Sequence, residues 1–297
     1  MNAAAEQTRA ALRHNEPMAR HTSWRVGGPA DTYFEPPDLP ALQAFLVDLP
    51  AGTPLLWIGL GSNLLVRDGG FRGAVVCLGK SFAAIEPLGE TRLRAGAGLP
   101  CAKLAQHCGR QGLAGGEFLA GVPGTVGGAL AMNAGAHGGE TWQCVQAVRT
   151  IGRDGVVHQR TPADFRVAYR SVSGPVDEWF LAAEFGFEHA PPSQVQAAIH
   201  ALLRRRAATQ PLRQANAGSV FRNPPGDHAA RLIEATGLKG LTRGRAQVSE
   251  RHANFIVNLG GARAADIEAL IDDVQARVEA ATGVRLEPEV RRVGEAA

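Results

Sequence analysis

Gly121-Val122-Pro123-Gly124-Thr125-Val126-Gly127-Gly128-Ala129-Leu130-Ala131-Met132-Asn133-Ala134-Gly135-Ala136 is the stretch on which the reading of this chain turns. Nearly every position is small. Glycine lacks a Cβ, so such a backbone can turn tightly and approach a neighbour closely. The stretch can lie flat against a large planar or diphosphate ligand. Standing alone, it is explained as well by a pair of structural turns. A second glycine-rich segment lies upstream, Ile58-Gly59-Leu60-Gly61-Ser62-Asn63-Leu64-Leu65-Val66. There, consecutive backbone N–H groups can face a phosphate, and Ser62 and Asn63 add side-chain donors. Two such segments favour a ligand site over two turns. Neither is a standard dinucleotide motif. Leu64 stands where Gly-x-Gly-x-x-Gly needs its third glycine, and neither segment carries the Gly-Lys-Ser/Thr of a P-loop.

Outward from these loops, short apolar runs alternate with helical spacing. Leu55 to Ile58, Ala74 to Leu78 and Trp179 to Phe187 read as buried strands. Val145 to Ile151 alternates and turns at Arg153-Asp154-Gly155 into Val156-Val157, a hairpin signal. Leu39, Leu42, Phe45, Leu46 and Leu49 keep helical spacing, with Pro40 in the first turn. A second helix runs from Leu99 to Cys108, with Gly109 and Gly112 as its stops. Beyond Ala190-Pro191-Pro192 the chain becomes more helical and more basic. Val195, Ile199, Leu202 and Leu203 make one helical face, Ala229 to Ala235 a short helix ended by Gly237, and Ile267 to Val278 a long one; Phe255 to Leu259 is a strand. The fold class is α+β. The expected division is a lead segment 1–20, a domain 21–189 with subdomains of about 21–78 and 79–189, and a smaller α+β domain 190–297.

Composition excludes several classes. The 297 residues suffice for about two domains of roughly 150 residues. The net charge of +3 is dispersed, and the tight cluster Arg204-Arg205-Arg206 is too short for a nucleic-acid stripe. A mildly positive cleft for small anions fits better. The four cysteines, Cys77, Cys101, Cys108 and Cys144, form no Cys-x-x-Cys and have no histidines at zinc spacing. They read as buried small hydrophobes, and no metal site is expected. No run approaches the ~20 apolar residues of a membrane span, and no apolar leader precedes Pro17. A cytoplasmic chain with reduced thiols is expected.

Gly59-Leu60-Gly61-Ser62-Asn63-Leu64-Leu65-Val66 resembles the pyrophosphate loop of the vanillyl-alcohol-oxidase-like FAD fold, also called PCMH-like. The run from Gly121 to Gly135 resembles the FAD loop of UDP-N-acetylenolpyruvoylglucosamine reductases, the MurB family, in which Pro-Gly-x-x-Gly-Gly precedes Asn-Ala-Gly-Ala. His21-Thr22-Ser23-Trp24-Arg25-Val26-Gly27-Gly28-Pro29-Ala30-Asp31 is similar to that family's entry segment. The likeness extends from about residue 20 to Gly294, with the motifs in the family's order. It implies an FAD-binding domain followed by a substrate-binding domain. It also implies non-covalent FAD, NADPH as co-substrate, and reduction of a UDP-amino-sugar enolpyruvyl ether in peptidoglycan precursor synthesis. The partner expected is this small molecule, with no nucleic acid, no membrane and a monomeric chain.

The resemblance implies site residues in turn. Gly59, Gly61, Ser62, Asn63, Leu64, Gly121, Gly124, Thr125, Gly127, Gly128, Asn133, Ala134 and Gly135 would hold FAD. Arg170, in Tyr169-Arg170, would polarise the substrate. Ser219, in Gly218-Ser219-Val220-Phe221-Arg222-Asn223-Pro224, would be the general acid. Glu289, directly before Val290-Arg291, would assist proton delivery. Taken without the family, Tyr-Arg is an ordinary surface pair, a serine after glycine a turn residue, and two C-terminal glutamates a solvated tail. Tyr169, Arg206, Asn223, His252 and Arg291 are further substrate contacts, and packing explains His252 equally well. Two positions depart from the family pattern. Val172 stands where Tyr-Arg-x-Ser has serine, which is absent or displaced by one, and Thr209 stands where a lysine usually precedes Gln-Pro, so that this contact is missing or supplied by Arg206 or Arg213. The short segment after Ser171 matches the branch without a long tyrosine-bearing loop. Rival readings are an oxidase of the same FAD fold and a flavin- or nucleotide-binding regulator without turnover.

Overall fold

The computed structural model describes residues 11–297; the first half of the expected lead segment 1–20 lies outside them. Strands and helices are mixed throughout, as an α+β fold requires. The described residues form two compact units, one of residues 11–13, 32–59 and 74–206, the other of residues 14–31, 60–73 and 207–297. These are not the contiguous segments suggested by composition. The second unit draws in 14–31 and 60–73 because its pairings are long-range. Its strand Leu64–Val66 runs parallel to Arg291–Val293, and Trp24, fully buried in its core, donates its indole N–H to the Ile256 carbonyl at 2.7 Å.

In the first unit, an antiparallel sheet has the order Val157–Arg160, Val145–Gly152, Glu178–Gly186, Arg92–Gly96, Ile85–Pro87. The Val145–Val157 hairpin is present as expected. Leu55–Ile58 pairs in parallel with Ala74 to Cys77. The helix Leu39–Asp48 opens on Asp38, whose carboxylate accepts from the Ala41 N–H at 2.8 Å, an N-cap of the usual kind. The helix Cys101–Gln111 corrects one expectation. Gly112, at φ +69°, is its left-handed cap, but Gly109 lies inside it and stops nothing. A Cβ on Gly109 would sit 3.0 Å from Ile199 Cδ1, so this glycine lets the helix Pro192–Thr209 pack closely. Cys101 and Cys108 are buried, and burial pushes both thiols up to about 12. Cys144 is pushed up to about 11 by the same cause. These cysteines behave as hydrophobes.

In the second unit, the sheet order is Ala215–Asn216, Ile256–Asn258, Ala246–Val248, Thr242–Arg243. The helices Ala229–Ala235 and Ala264–Thr282 pack on its core. The entry segment fits the loop after Gly59 through glycine. Gly61 has φ +59°, and a Cβ there would lie 2.0 Å from the His21 carbonyl oxygen. Gly28 meets the Asp68 carbonyl in the same way, at 2.1 Å. The two carboxylate oxygens of Asp68 accept from Ala264 N–H and Ala265 N–H at 2.9 Å, capping the longest helix of the unit. Among the described residues no helix is long and apolar enough to cross a membrane.

Candidate functional site

In the first unit, a cavity of about 250 Å³ is lined by Gly59, Thr125, Gly127 and Gly128, bringing residues of both glycine segments together. The approach is close: a Cβ on Gly59 would stand 2.4 Å from Thr125 Oγ1. Thr125 caps the helix Val126–Met132, and Gly128 and Ala131 present a small, exposed surface to the cavity. The amides of this loop bind their own fold. Val126 donates to the Leu99 carbonyl and Gly127 to the Ala97 carbonyl, both at 2.8 Å. The loop therefore offers a flat face to a ligand. Trp57 and Trp179 stack at 5.1 Å in the wall. Among the described residues the buried Trp57 indole N–H has no hydrogen-bond partner, leaving a donor for an acceptor-bearing ring. Small residues, stacked indoles and an orphaned donor fit an aromatic dinucleotide such as FAD. Sequence reasoning missed both tryptophans, because their signal was only that of strand residues.

Arg170 belongs to the same unit. Tyr169-Arg170 forms the two-residue turn between strands Arg166–Ala168 and Ser171–Ser173. Arg170 has φ +53°, a conformation uncommon outside glycine and asparagine. Its guanidinium donates to the Gly135 carbonyl at 2.7 Å and to the Asn133 carbonyl at 3.3 Å, and it lies over the exposed Tyr169 ring at 5.0 Å. Asn133 is buried, and its amide is committed to the fold. Its Nδ2 donates to Glu140 at 2.8 Å and to the Ala168 carbonyl at 3.2 Å, while its Oδ1 accepts from Trp142 N–H at 3.1 Å. The expected cofactor contact through this side chain is thus replaced by a framework that fixes Arg170. Ala134 supports the same turn by accepting from Thr141 Oγ at 2.6 Å. Val172 packs partly on the core opposite Val167, so the departure from serine fills space. Gly121 and Arg206 come near one another through His137. A Cβ on Gly121 would lie 3.4 Å from the His137 ring, whose ionisation is depressed first by burial and then by Arg205 and Arg206. Gly124 contributes its carbonyl to the Cys101 N–H at 2.9 Å.

Gly61, Ser62, Asn63, Leu64, Ser219, Asn223, His252, Glu289 and Arg291 belong to the second unit. Ser219 follows Gly218, at φ +73°, and precedes a backbone ladder. Glu289 N–H donates to the Val220 carbonyl at 2.7 Å, and Arg222 N–H to the Glu287 carbonyl at 2.9 Å. The other side of Glu289 is held by Asn63, whose side-chain amide donates to the Glu289 carbonyl at 3.1 Å. Asn254, which sequence reasoning missed, clamps the serine loop in both directions. Its Oδ1 accepts from Phe221 N–H at 2.9 Å, its Nδ2 donates to the Phe221 carbonyl at 2.8 Å, and its own carbonyl accepts from Val220 N–H at 2.9 Å. His252 Nδ1 accepts from Asn254 N–H at 3.3 Å, and its ring meets Phe255 edge-on. Burial, then Lys239, depresses its ionisation. The exposed Asn223 accepts from Ala229 N–H at 3.1 Å, capping the helix Ala229–Ala235. The exposed Arg291 is fixed by its backbone, donating its N–H to the Asn63 carbonyl at 3.1 Å.

Comparisons with known proteins agree with this arrangement. Residues 30–160 match the FAD binding domain family model, and residues 210–293 match the C-terminal domain of UDP-N-acetylenolpyruvoylglucosamine reductase. The chain is 60% identical to the reductase of that name from Alkalilimnicola ehrlichii, with 96% of this chain and 95% of the relative aligned. The corresponding protein of Methylococcus capsulatus is 56% identical over 98% of this chain and 96% of its own. The crystal structure of the Thermus caldophilus reductase superposes with a TM-score of 0.83 at 34% identity, covering 94% of this chain and 97% of that one. The chain belongs to the UDP-N-acetylenolpyruvoylglucosamine reductase family.

Proposed function

We infer that the chain reduces the enolpyruvyl ether of UDP-N-acetylglucosamine to UDP-N-acetylmuramate with NADPH, a step of peptidoglycan precursor synthesis. When bound, FAD supplies the two-electron hydride chemistry that side chains lack. Gly59, Gly61, Ser62, Asn63, Leu64, Gly121, Gly124, Thr125, Gly127, Gly128, Ala134 and Gly135 would hold it, with Asn133 as framework. Trp57 would add an indole donor.

Arg170 grips the substrate carboxylate and stabilises the charge that develops on reduction. Ser219 donates its hydroxyl proton to the carbon bearing the ether oxygen, while the terminal carbon receives hydride. Glu289 assists this proton delivery. Tyr169, Arg206, Asn223, His252 and Arg291 complete the contacts to the sugar nucleotide, Arg206 replacing the lysine absent at Thr209. Residues 30–160 act within the FAD-binding part and 210–293 within the substrate-binding part of a cytoplasmic monomer. Beside family membership, the observation that carries this reading is the 2.7 Å bond from Glu289 N–H to the Val220 carbonyl. It joins the proposed acid's loop to the proposed glutamate across a long stretch of sequence.

An anaerobic absorbance titration tests the reading. NADPH should bleach the flavin, and the UDP-linked enolpyruvyl sugar should restore the oxidised spectrum. Bleaching without restoration would refute the substrate; no flavin uptake from added FAD would refute the cofactor site.

A further inference from the structure

We propose that Asn63 is a positioning residue for Glu289, so that one residue of the glycine loop sets where the catalytic carboxylate stands. This rests on the reading of Glu289 as catalytic. Asn63 brackets that residue with two hydrogen bonds: its side-chain amide reaches the Glu289 carbonyl at 3.1 Å, and its own carbonyl receives Arg291 N–H at 3.1 Å. Val220 holds the Glu289 amide from the other direction at 2.7 Å. The peptides on either side of the Glu289 Cα are thereby fixed, and with them the direction in which the side chain leaves the backbone. Strand pairing cannot do this alone. The parallel ladder begins at Arg291 opposite Leu64, leaving Glu289 beyond its end. Without the Asn63 amide, the Glu289–Val290 peptide loses this side-chain tether while the ladder persists. The damage is therefore local.

Loss of one neutral hydrogen bond corresponds to about a fivefold to tenfold effect. The experiment uses the full FAD-loaded chain with Asn63→Ala, Asn63→Asp, Glu289→Gln and the two double variants. Asn63→Asp keeps the shape and replaces the donor by an acceptor, so it serves where Asn63→Ala fails to fold. Both single Asn63 variants should slow flavin reoxidation by the enolpyruvyl substrate about fivefold to tenfold. Asn63 also lies in the FAD loop, so the two half-reactions are compared as a ratio at saturating FAD: reoxidation should lose at least about fivefold more than bleaching by NADPH. In the Glu289→Gln background the Asn63 change should add less than about twofold, the non-additivity of coupled residues. The Kd for FAD, read by flavin fluorescence, should be shifted equally by Asn63→Ala in both backgrounds. Equal losses in both half-reactions, or a full additional loss on top of Glu289→Gln, would overturn the proposal and leave Asn63 a structural or cofactor contact. Unchanged reoxidation in Glu289→Gln alone would instead overturn the catalytic reading of Glu289.

Discussion

Arg170 and Glu289 are held in opposite ways. Arg170 is anchored by its own functional group, its guanidinium bonded to the Asn133 and Gly135 carbonyls on a strained backbone at φ +53°. Glu289 is anchored by its backbone, clamped between Val220 and Asn63. At Arg170, anchor and chemistry reside in one side chain and are lost together. At Glu289 they are separable, because neighbours fix the peptide and the carboxylate merely follows. The first unit thus holds its proposed site residue by side-chain bonding, the second by backbone clamping.

The largest expected effect isolates the second cluster. Ser219→Ala removes the proposed proton donor and leaves the loop's backbone bonds in place. Reoxidation by substrate should fall at least about 10²-fold, while NADPH bleaching barely changes. Parallel loss of both half-reactions would show that Ser219 is not the acid. Arg170→Lys comes next. Lysine keeps the charge but cannot span two carbonyls and a carboxylate with a planar fork. A loss of about 10- to 100-fold in kcat/KM is expected. Near-wild-type activity would break the comparison, since a point charge would then suffice.

A smaller effect concerns stability. Gly61→Ala forces alanine into the left-handed region, which costs about 1–2 kcal/mol, and drives a methyl into the His21 carbonyl, 2.0 Å from an ideal Cβ. That neighbour is backbone and yields little, so overpacking adds about 1–3 kcal/mol. Gly218→Ala meets open space at φ +73° and should cost only about 1–2 kcal/mol. Urea denaturation of both variants checks this. Equal costs would mean that the entry segment does not brace the glycine loop.

What the sequence showed and hid follows the same division. Local signals were legible: the Asp38-Leu39-Pro40 helix start, the Asp154-Gly155 hairpin turn and the Gly112 cap all depend on neighbours a few residues away. Gly109 was misread because its reason is Ile199, far along the chain. The composition of the second unit was hidden for the same cause, since nothing near Leu64 announces its pairing with Arg291. The motifs were legible, but the supports of their residues were not. Asn133 looked like a ligand, yet its amide bonds to Glu140, Ala168 and Trp142. Asn254 gave no signal of its own, and it holds the serine loop from 33 residues away.

The smallest expected effect separates the clusters by pH. Burial depresses the ionisation of His252, so the unfolded chain, whose histidines titrate near 6.5, takes up this proton first as pH falls. Stability therefore declines as pH drops below about 6.5, and the decline ends once the folded His252 is also protonated. Protonation at Nδ1 removes the acceptor for Asn254 N–H, and Asn254 clamps Val220 and Phe221. Acid should thus loosen the backbone-held cluster. His137 and His107 are depressed mainly by burial and act with the same sign, so the comparison must be made by substitution. His252→Gln should flatten the slope of unfolding free energy against pH below about 6.5. It should also reduce the acid loss of substrate-driven reoxidation relative to NADPH bleaching. An unchanged slope would mean that burial does not hold this ring neutral. The equal part that packing plays for His252 would then be its whole part.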